Sequence, residues 1–252
     1  MISACILTKN SERTLSATLQ TLSGFPEIIL YDTGSTDRTL EIARSFLNVR
    51  ILQGVLDGFG PTRNRLTQEA SHDWILALDS DERLSEELQQ ELRLFQGDPR
   101  CVYEIDFRNY YRGKWIKGCG WHPERHVRLY NRTSTSFSNV YVHESVLTKE
   151  LRTVRLKHPI HHTPYLSVSD FLAKMQHYSD LFAKEHSQKR PSSVRKAVVH
   201  GVGAFLKSYL LKRGLWMGQE GLMISLYNAN TAFYKYMKLA EINALRSSLP
   251  SR

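Results

Sequence analysis

The chain has 252 residues, of which 41% are hydrophobic and 23% are charged. This length suits one α/β domain with an appendage or two small domains, and the composition excludes a disordered or collagen-like chain. The chain has three cysteines, Cys5, Cys101 and Cys119, and their spacing does not suggest pairs. This odd number argues against a disulfide framework and fits a reducing compartment.

Residues 1–90 alternate between strand and helix patterns. Because the first strand begins at residue 2 with no basic segment before it, we expect no signal peptide. Leu40, Ala43 and Leu47 are expected to face the core from the second helix. Strands that alternate with helices predict an α/β fold with a mostly parallel, Rossmann-like sheet and helices on both faces. The predicted order is strand 2–8, helix 11–23, strand 28–31, helix 37–47, strand 49–52, helix 62–70 and strand 74–78.

Polar residues follow three of these strands, and ligands bind at the carboxyl ends of strands in such sheets. The three groups are Thr8-Lys9-Asn10, the turn that begins at Asp32, and Asp79-Ser80-Asp81. Paired carboxylates after a buried strand suit Mg²⁺, which commonly binds one or two carboxylates together with substrate phosphates. The competing explanation is local, because Ser85 could cap a helix that begins with acidic residues. Position at a strand end favours the cation site.

The rest of the chain changes in character near residue 165. Residues 100–165 are rich in aromatic residues, arginine and histidine, with strand patterns at 127–130 and 140–142. From Ser167 the pattern is helical, with Phe171, Met175, Tyr178 and Phe182 on one face. We therefore predict two parts, a first domain over 1–165 and a C-terminal helical region over 166–252.

Charge separates the same two parts of the sequence. Residues 1–150 carry 18 Lys and Arg against 20 Asp and Glu, a net charge of −2, whereas residues 151–252 carry 16 against 5, a net charge of +11. A basic amphipathic helix over 192–213 and a second helical stretch over 221–245 indicate contact with a membrane surface or another anionic partner. The alternative is that both helices pack on the first domain and keep their charges in water.

Four runs of residues occur in order and with suitable spacing: Thr8-Lys9-Asn10, Tyr31 to Asp37, Arg63-Asn64 and Leu78 to Glu82. As a set, they resemble the family 2 glycosyltransferases of the GT-A fold. Three further runs are Phe137–Val146 with Val142-His143-Glu144, Ile160-His161-His162 and Tyr165-Leu166-Ser167. These resemble the subgroup of lipopolysaccharide inner-core β-1,4-glucosyltransferases, and the likeness covers nearly the whole chain.

The resemblance implies a role for each matching residue in binding a UDP-sugar. Thr8, Asn10 and Arg63 would line the nucleotide pocket, and Asp32 would hold the uracil. The resemblance also implies a loop near the donor sugar, formed by Gly118-Cys119-Gly120.

The resemblance further implies Mg²⁺ or Mn²⁺ as cofactor. Asp81 would bind the ion directly and Asp79 would contact the ion or the ribose. His162 would complete the site, although the adjacent His161 is an alternative because only one of the two can easily face the metal. Residues 1–165 would thus be the nucleotide-sugar-binding catalytic domain.

The implied reaction is an inverting transfer of a hexose, glucose by analogy with the subgroup. An inverting transfer needs a carboxylate that accepts the proton of the acceptor hydroxyl. Glu144 stands where the family places this base, but its neighbour is His143 where a second acidic residue is usual, so Glu124 stays open. The acceptor would be an anionic lipid-linked saccharide such as the lipopolysaccharide inner core. The enzyme would be cytoplasmic and peripheral on the cytoplasmic face of the inner membrane.

Other functions remain possible at this stage. The acceptor could be an exopolysaccharide or a polyprenyl-linked glycan. The basic region could bind nucleic acid, but no nucleic-acid-binding motif is present and the aromatic residues have the spacing of a helix core, so we expect no nucleic acid. A nucleotidyltransferase would carry a glycine-rich basic segment near the first strand, and a non-catalytic sugar-nucleotide-binding module is the last alternative.

Overall fold

A computed structural model describes residues 1–140, 144–187 and 189–247. The chain forms two compact units, one built from 1–108 with 124–163 and the other from 109–123 with 164–252. The chain therefore contributes to the second unit twice, whereas the sequence suggested a single boundary after residue 165. The functions assigned to the two parts stay predictions.

The first unit begins with the alternating strands and helices that the sequence predicts. Among the described residues of this unit, five further strands and one helix follow β4. The elements are β1 (Ile2–Thr8), α1 (Leu15–Thr21), β2 (Glu27–Asp32), α2 (Thr39–Arg44), β3 (Val49–Gln53), α3 (Phe59–Gln68), β4 (Trp74–Asp79), β5 (Glu82–Leu84), α4 (Glu86–Arg93), β6 (Cys101–Tyr111), β8 (Glu124–Asn131), β9 (Arg152–Arg155) and β10 (Ile160–His162).

The sheet is parallel at its centre and mixed beyond it. Its order is β3-β2-β1-β4-β8-β6-β10-β5, with β1 parallel to both β2 and β4, and β8 antiparallel to β4. All seven residues of β1 are buried, which requires cover on both faces of the strand. Leucines of α1 and α4 pack on one face and Leu66 of α3 packs on the other. The predicted fold class is therefore confirmed.

Local chemistry explains where the helices begin and end. Ser85 caps α4, since its Oγ accepts a hydrogen bond of 3.2 Å from Leu88 N, as the local explanation predicted. This cap lies beyond the Asp79–Asp81 turn and coexists with it. The expectation that Leu47 is buried is wrong: α2 ends at Arg44, and Leu47 is fully exposed in the turn that follows.

Within the described residues, the second unit contains three α-helices and a short strand, β7 (Lys114–Trp115), which pairs with the end of β6. Ser167 caps α5 (Val168–His186), and the core includes Phe171 and Ile224, whereas Tyr178 is half exposed. The other helices are α6 (Val194–Leu206) and α7 (Gln219–Ser247), joined by a π-helical turn over Lys207–Leu211 and a 3₁₀ turn over Gly214–Met217. None of the helices in the described ranges combines the length and apolar character that crossing a membrane requires.

Candidate active site

The turn after β4 presents the paired carboxylates, and neighbouring elements fix its backbone. Asp79 N donates to Glu82 Oε2 over 3.0 Å, and Thr18 of α1 donates through Oγ1 to the Ser80 carbonyl over 3.0 Å. The Ser80 and Ser11 hydroxyls lie 2.6 Å apart. With the backbone held in this way, the Asp79 and Asp81 side chains keep 39% and 28% of their surface exposed.

Two guanidinium groups hold the Asp79 carboxylate. Arg63 of α3, only 3% exposed, donates through Nη2 to Asp79 Oδ1 over 2.5 Å, and Arg128 of β8 donates through Nη2 to Asp79 Oδ2 over 3.2 Å. Although burial opposes the shift, these guanidinium groups hold the pKa of Asp79 well below its usual range. Asp79 is therefore ionised at neutral pH, with both of its oxygens already engaged.

Arg128 also binds the buried carboxylate of Glu82 through the same Nη2 atom. Glu82 is only 1% exposed, and this burial, opposed by Arg128 and assisted by the charge of Asp79, raises the pKa of Glu82 to about 7. Local sequence predicts no role for Arg128 or Glu82. The turn thus contains a third acidic group that is inaccessible to solvent and tied to β8.

Asp81 faces a histidine instead of an arginine. His162 Nε2 lies 3.5 Å from Asp81 Oδ2, and Thr163 N donates to the Asp81 carbonyl over 3.2 Å, because β10 pairs with β5 beside the turn. Burial lowers the pKa of His162, but the Asp81 carboxylate outweighs this effect and the net shift is upward. His161 lines a cavity with Arg83 and Glu87. Of the two histidines, His162 is the one beside Asp81.

These residues offer a cation two donors and not a complete ligand set. Across residues 1–140, 144–187 and 189–247, no group of three His, Cys, Asp or Glu side chains is arranged to hold a metal ion. Asp81 supplies a carboxylate and His162 an imidazole, while each oxygen of Asp79 already has an arginine partner. Since Mg²⁺ is commonly bound by one or two carboxylates and by substrate phosphates, this pair fits an ion shared with a bound nucleotide.

The loops after β1 and β2 lie against each other at the same edge of the sheet. Thr8 pairs with Asp32 in the strand register, and Thr8 Oγ1 is buried without a hydrogen-bond partner in the described part of the chain. Asn10 Oδ1 accepts from Thr36 N over 2.8 Å. The Asp32 carboxylate is fully buried and accepts hydrogen bonds from Gly34 N and Ser35 N, over 3.2 and 3.0 Å. Asp32 thus holds its own turn, and its contact with uracil stays a prediction.

The two candidate bases lie in different surroundings. Glu144 is 13% exposed and accepts through Oε1 from Arg63 Nε over 3.0 Å, which connects it with Asp79 through one guanidinium. Glu124, at the start of β8, is 36% exposed and lies 2.8 Å from His126 Nε2. Glu144 is thus the candidate linked to the Asp79 carboxylate, while residues 141–143, including His143, lie outside the described residues.

Gly118 and Gly120 belong to the second unit, where the loop has a packing requirement of its own. A Cβ atom on Gly118 would lie 2.6 Å from the Arg213 carbonyl oxygen, and Cys119 N donates to the Lys212 carbonyl over 2.7 Å. Gly120 has a φ of +85°, which favours glycine. The proposed role of this loop near the donor sugar stays a prediction.

The mixed α/β sheet ends its fourth strand in two carboxylates, Asp79 held by arginines and Asp81 beside a histidine, and this arrangement is that of a GT-A type protein. Residues 3–153 match the model of glycosyl transferase family 2, so the chain belongs to this family, as the sequence predicted.

The chain is similar to two curated bacterial proteins over nearly its full length. It is 28% identical to an uncharacterized glycosyltransferase of Rickettsia bellii, over 96% of this chain and 87% of the relative. It is 26% identical to the lipopolysaccharide core biosynthesis glycosyltransferase LpsC of Rhizobium meliloti, over 98% and 94%. Among solved structures, S. aureus TarS with UDP has a TM-score of 0.46 and 18% identity, over 100% of this chain and 93% of TarS.

Proposed function

We propose that the chain transfers a hexose, glucose in the first instance, from a UDP-sugar to a lipid-linked saccharide of the lipopolysaccharide inner core. The observation that carries the proposal is the turn after β4. There Asp79 is held by Arg63 and Arg128, while Asp81 lies partly exposed beside His162. A family 2 transferase needs its charged donor bound at this edge of the sheet, and this turn supplies both signs of charge.

Asp81 and His162 would hold Mg²⁺ or Mn²⁺, and Asp79 would contact the ion or the donor ribose. When bound, the ion neutralises negative charge on the leaving UDP. Arg63 and Arg128 keep Asp79 ionised and fixed in orientation, so the carboxylate need not reorganise when the donor arrives. Thr8, whose hydroxyl is buried and free of protein partners in the described chain, would receive a hydrogen bond from the nucleotide.

Other predicted donor contacts depend on loops that already have local hydrogen bonds. Asp32 and Asn10 shape the nucleotide pocket through the turn after β2, and Asp32 would reach the uracil from this turn. Gly118 and Gly120 would keep the backbone of their loop open to the donor sugar, since a side chain at either position is disfavoured.

Glu144 would act as the base of an inverting transfer. Its carboxylate accepts the proton of the acceptor hydroxyl while that oxygen bonds to the anomeric carbon and the bond to the UDP oxygen breaks. Arg63 orients this carboxylate through a 3.0 Å hydrogen bond. Because the acceptor oxygen displaces UDP from the anomeric carbon in one step, the anomeric configuration inverts.

The acceptor assignment is supported by the likeness to LpsC, which covers almost all of both chains. A lipid-linked, phosphorylated acceptor would be met at the cytoplasmic face of the inner membrane, which matches the net charge of +11 over residues 151–252. An exopolysaccharide or polyprenyl-linked acceptor remains the second candidate. Transfer from radiolabelled UDP-sugars to truncated lipopolysaccharide, compared with polyprenyl-linked acceptors, separates the two.

The cation site is tested by Asp81→Ala and His162→Ala, with Asp98→Ala as the matched surface control. Titration calorimetry with Mn²⁺ and UDP measures binding independently of turnover. We expect each site variant to weaken Mn²⁺ binding in the presence of UDP and to slow UDP-glucose turnover, while Asp98→Ala changes neither. Unchanged Mn²⁺ binding in both site variants would show that the ion is held elsewhere.

The base is tested by Glu144→Gln beside Glu124→Gln. We expect Glu144→Gln to lower kcat by about 10²–10⁴-fold while the KM for the donor stays similar. Glu124→Gln should retain most of the activity. Near-normal turnover by Glu144→Gln together with loss of activity in Glu124→Gln would reverse the assignment, and retention of the anomeric configuration by NMR would reject single-step inversion.

A further inference from the structure

Helix α6 buries small residues and exposes large apolar ones. Its buried face consists of the small residues Ala197 and Gly201, and a Cβ atom on Gly201 would lie 3.2 Å from Phe233 Cβ of α7. A surface helix normally buries its large apolar residues and exposes polar ones. In α6, small residues make the close helix contact, and large apolar residues are about half exposed.

Those large residues form a continuous exposed row, which we call the α6 stripe. Its members are spaced four residues apart, so each is a surface neighbour of the next along the helix and the π-helical turn that follows. Each is about half exposed, with relative exposures between 46% and 59%. The α6 stripe consists of Val194, Val198, Val202, Leu206 and Leu210.

The exposed apolar surface continues beyond the α6 stripe. Leu211 is 79% exposed, and the 3₁₀ turn adds Leu215 at 51% and Trp216 at 76%. Contiguous apolar surface of this extent marks an interaction site, whereas single exposed apolar residues need no explanation. A solvent-exposed tryptophan next to leucines is typical of the membrane interface, where the indole N–H stays hydrated.

The charges around the α6 stripe favour an anionic partner. Residues 187–219 contain seven Lys and Arg and no Asp or Glu. Lys207, Lys212 and Arg213 are exposed beside the apolar residues. A second copy of this chain on the same face would bring like charges together, whereas an anionic lipid surface offers both acyl chains and opposite charge. Helix α6 has 13 residues and a span needs about 20, so the helix would lie in the plane of the interface.

We propose that the α6 stripe, extended through Leu211 and Trp216, docks the protein on an anionic phospholipid surface. The apolar side chains enter the boundary between headgroups and acyl chains, and the flanking lysines and arginines contact the phosphates. This surface would present a lipid-linked acceptor to the enzyme, and in that respect the inference rests on the proposed function. The docking itself requires neither donor nor acceptor.

The test is flotation of the full chain with phosphatidylcholine vesicles that contain about one third phosphatidylglycerol. Val202→Glu is compared with Leu172→Glu on α5, because both side chains are 55% exposed in the same unit. We expect Val202→Glu to lower the partition coefficient by at least about tenfold and Leu172→Glu to leave it within about twofold. Tryptophan emission should shift to the blue with anionic vesicles and not with phosphatidylcholine alone, and Trp216→Phe should lose this shift, because the chain has three other tryptophans.

Three results would overturn the proposal. These are equal flotation of Val202→Glu and wild type, equal binding to neutral and anionic vesicles, and a wild-type dimer by light scattering that Val202→Glu dissociates. Val202→Ser replaces the glutamate variant if circular dichroism shows that the latter is unfolded. UDP-glucose hydrolysis, measured without vesicles, separates the two proposals. If the protein floats with anionic vesicles but does not hydrolyse UDP-glucose, the proposed transferase function is rejected and the docking surface is kept.

Discussion

Arg63 and Glu144 lie 81 residues apart in the sequence, yet Arg63 Nε donates to Glu144 Oε1 over 3.0 Å. The same guanidinium reaches Asp79 Oδ1 over 2.5 Å and is only 3% exposed. A buried guanidinium is stable only when its charge and N–H groups are paired, so each of the three residues depends on the other two. Helix α3 thereby ties the proposed base to the turn that would bind the donor.

Replacing Arg63 by lysine tests this geometry. A lysine keeps the charge but cannot donate in two fixed directions, so one carboxylate loses its hydrogen bond. We expect Arg63→Lys to lower the free energy of unfolding by about 2 kcal/mol and kcat/KM by about 10²-fold. Urea denaturation and steady-state kinetics measure the two effects.

Arg65 is the matched control for Arg63, because it lies on the same helix but is 47% exposed and pairs with Asp57 at the surface. Exchange of an exposed ion pair has little effect on stability, so Arg65→Lys should behave as wild type in both measurements. Equal effects of the two substitutions would mean that the pairing of Arg63 with Asp79 and Glu144 has no special importance.

The buried pair of Arg128 and Glu82 gives a second prediction. Arg128→Met removes the guanidinium that favours the ionised form of Glu82, so this buried carboxyl group must bind a proton or keep an unpaired charge. We therefore expect the free energy of unfolding to fall by about 3 kcal/mol. Adding Glu82→Gln replaces the carboxyl group by a neutral amide and should recover about 1–2 kcal/mol. A double-mutant cycle by urea denaturation measures this coupling. Strict additivity of the two single effects would show that the carboxylate and guanidinium act independently.

The sequence predicted the parallel half of the fold and the carboxyl edge of its strands. Strand β1 has the predicted bounds, because a run of apolar residues buried on both faces leaves little freedom in its assignment. Asp79 and Asp81 could be identified because they directly follow such a strand. These features depend on local sequence and on a general rule for parallel sheets.

Arg128 could not be identified in the same way. Its contact with Asp79 exists because β8 returns antiparallel beside β4, with Leu76 opposite Leu129, and no local signal encodes that pairing. The segment 109–123 similarly joins the second unit through contacts distant in sequence. For Leu47, helical periodicity continued past the point where the helix ends, so spacing alone assigned it to the core.

A pair of glycine substitutions tests how α3 packs. A Cβ atom on Gly60 would lie 1.9 Å from the Ser138 carbonyl oxygen, so Gly60→Ala must displace the chain before Glu144. We expect a loss of about 2–3 kcal/mol in the free energy of unfolding, together with reduced kcat. A Cβ atom on Gly203 of α6 would have no atom within 4 Å, so Gly203→Ala should raise the free energy of unfolding by about 0.5–1 kcal/mol. Thermal unfolding distinguishes the two, and a neutral Gly60→Ala would contradict the packing.

The last prediction concerns alkaline pH and Cys5 in the centre of β1. Burial, assisted by the charge of Glu27, raises the pKa of Cys5 to about 12, whereas a cysteine in an unfolded chain has a pKa of about 8.5. Between these values the folded chain keeps a proton that the unfolded chain has lost. The contribution of Cys5 to stability is therefore fully present below about pH 8.5 and falls by about 1.4 kcal/mol per pH unit above it.

The variant Cys5→Ala has a cavity whose cost does not depend on pH, and it has no thiol to titrate. The unfolding free energy of wild type minus that of Cys5→Ala should therefore fall with the same slope, about 1.4 kcal/mol per pH unit, from about pH 8.5 to about pH 10. A pH-independent difference would show that the thiol titrates equally in both states.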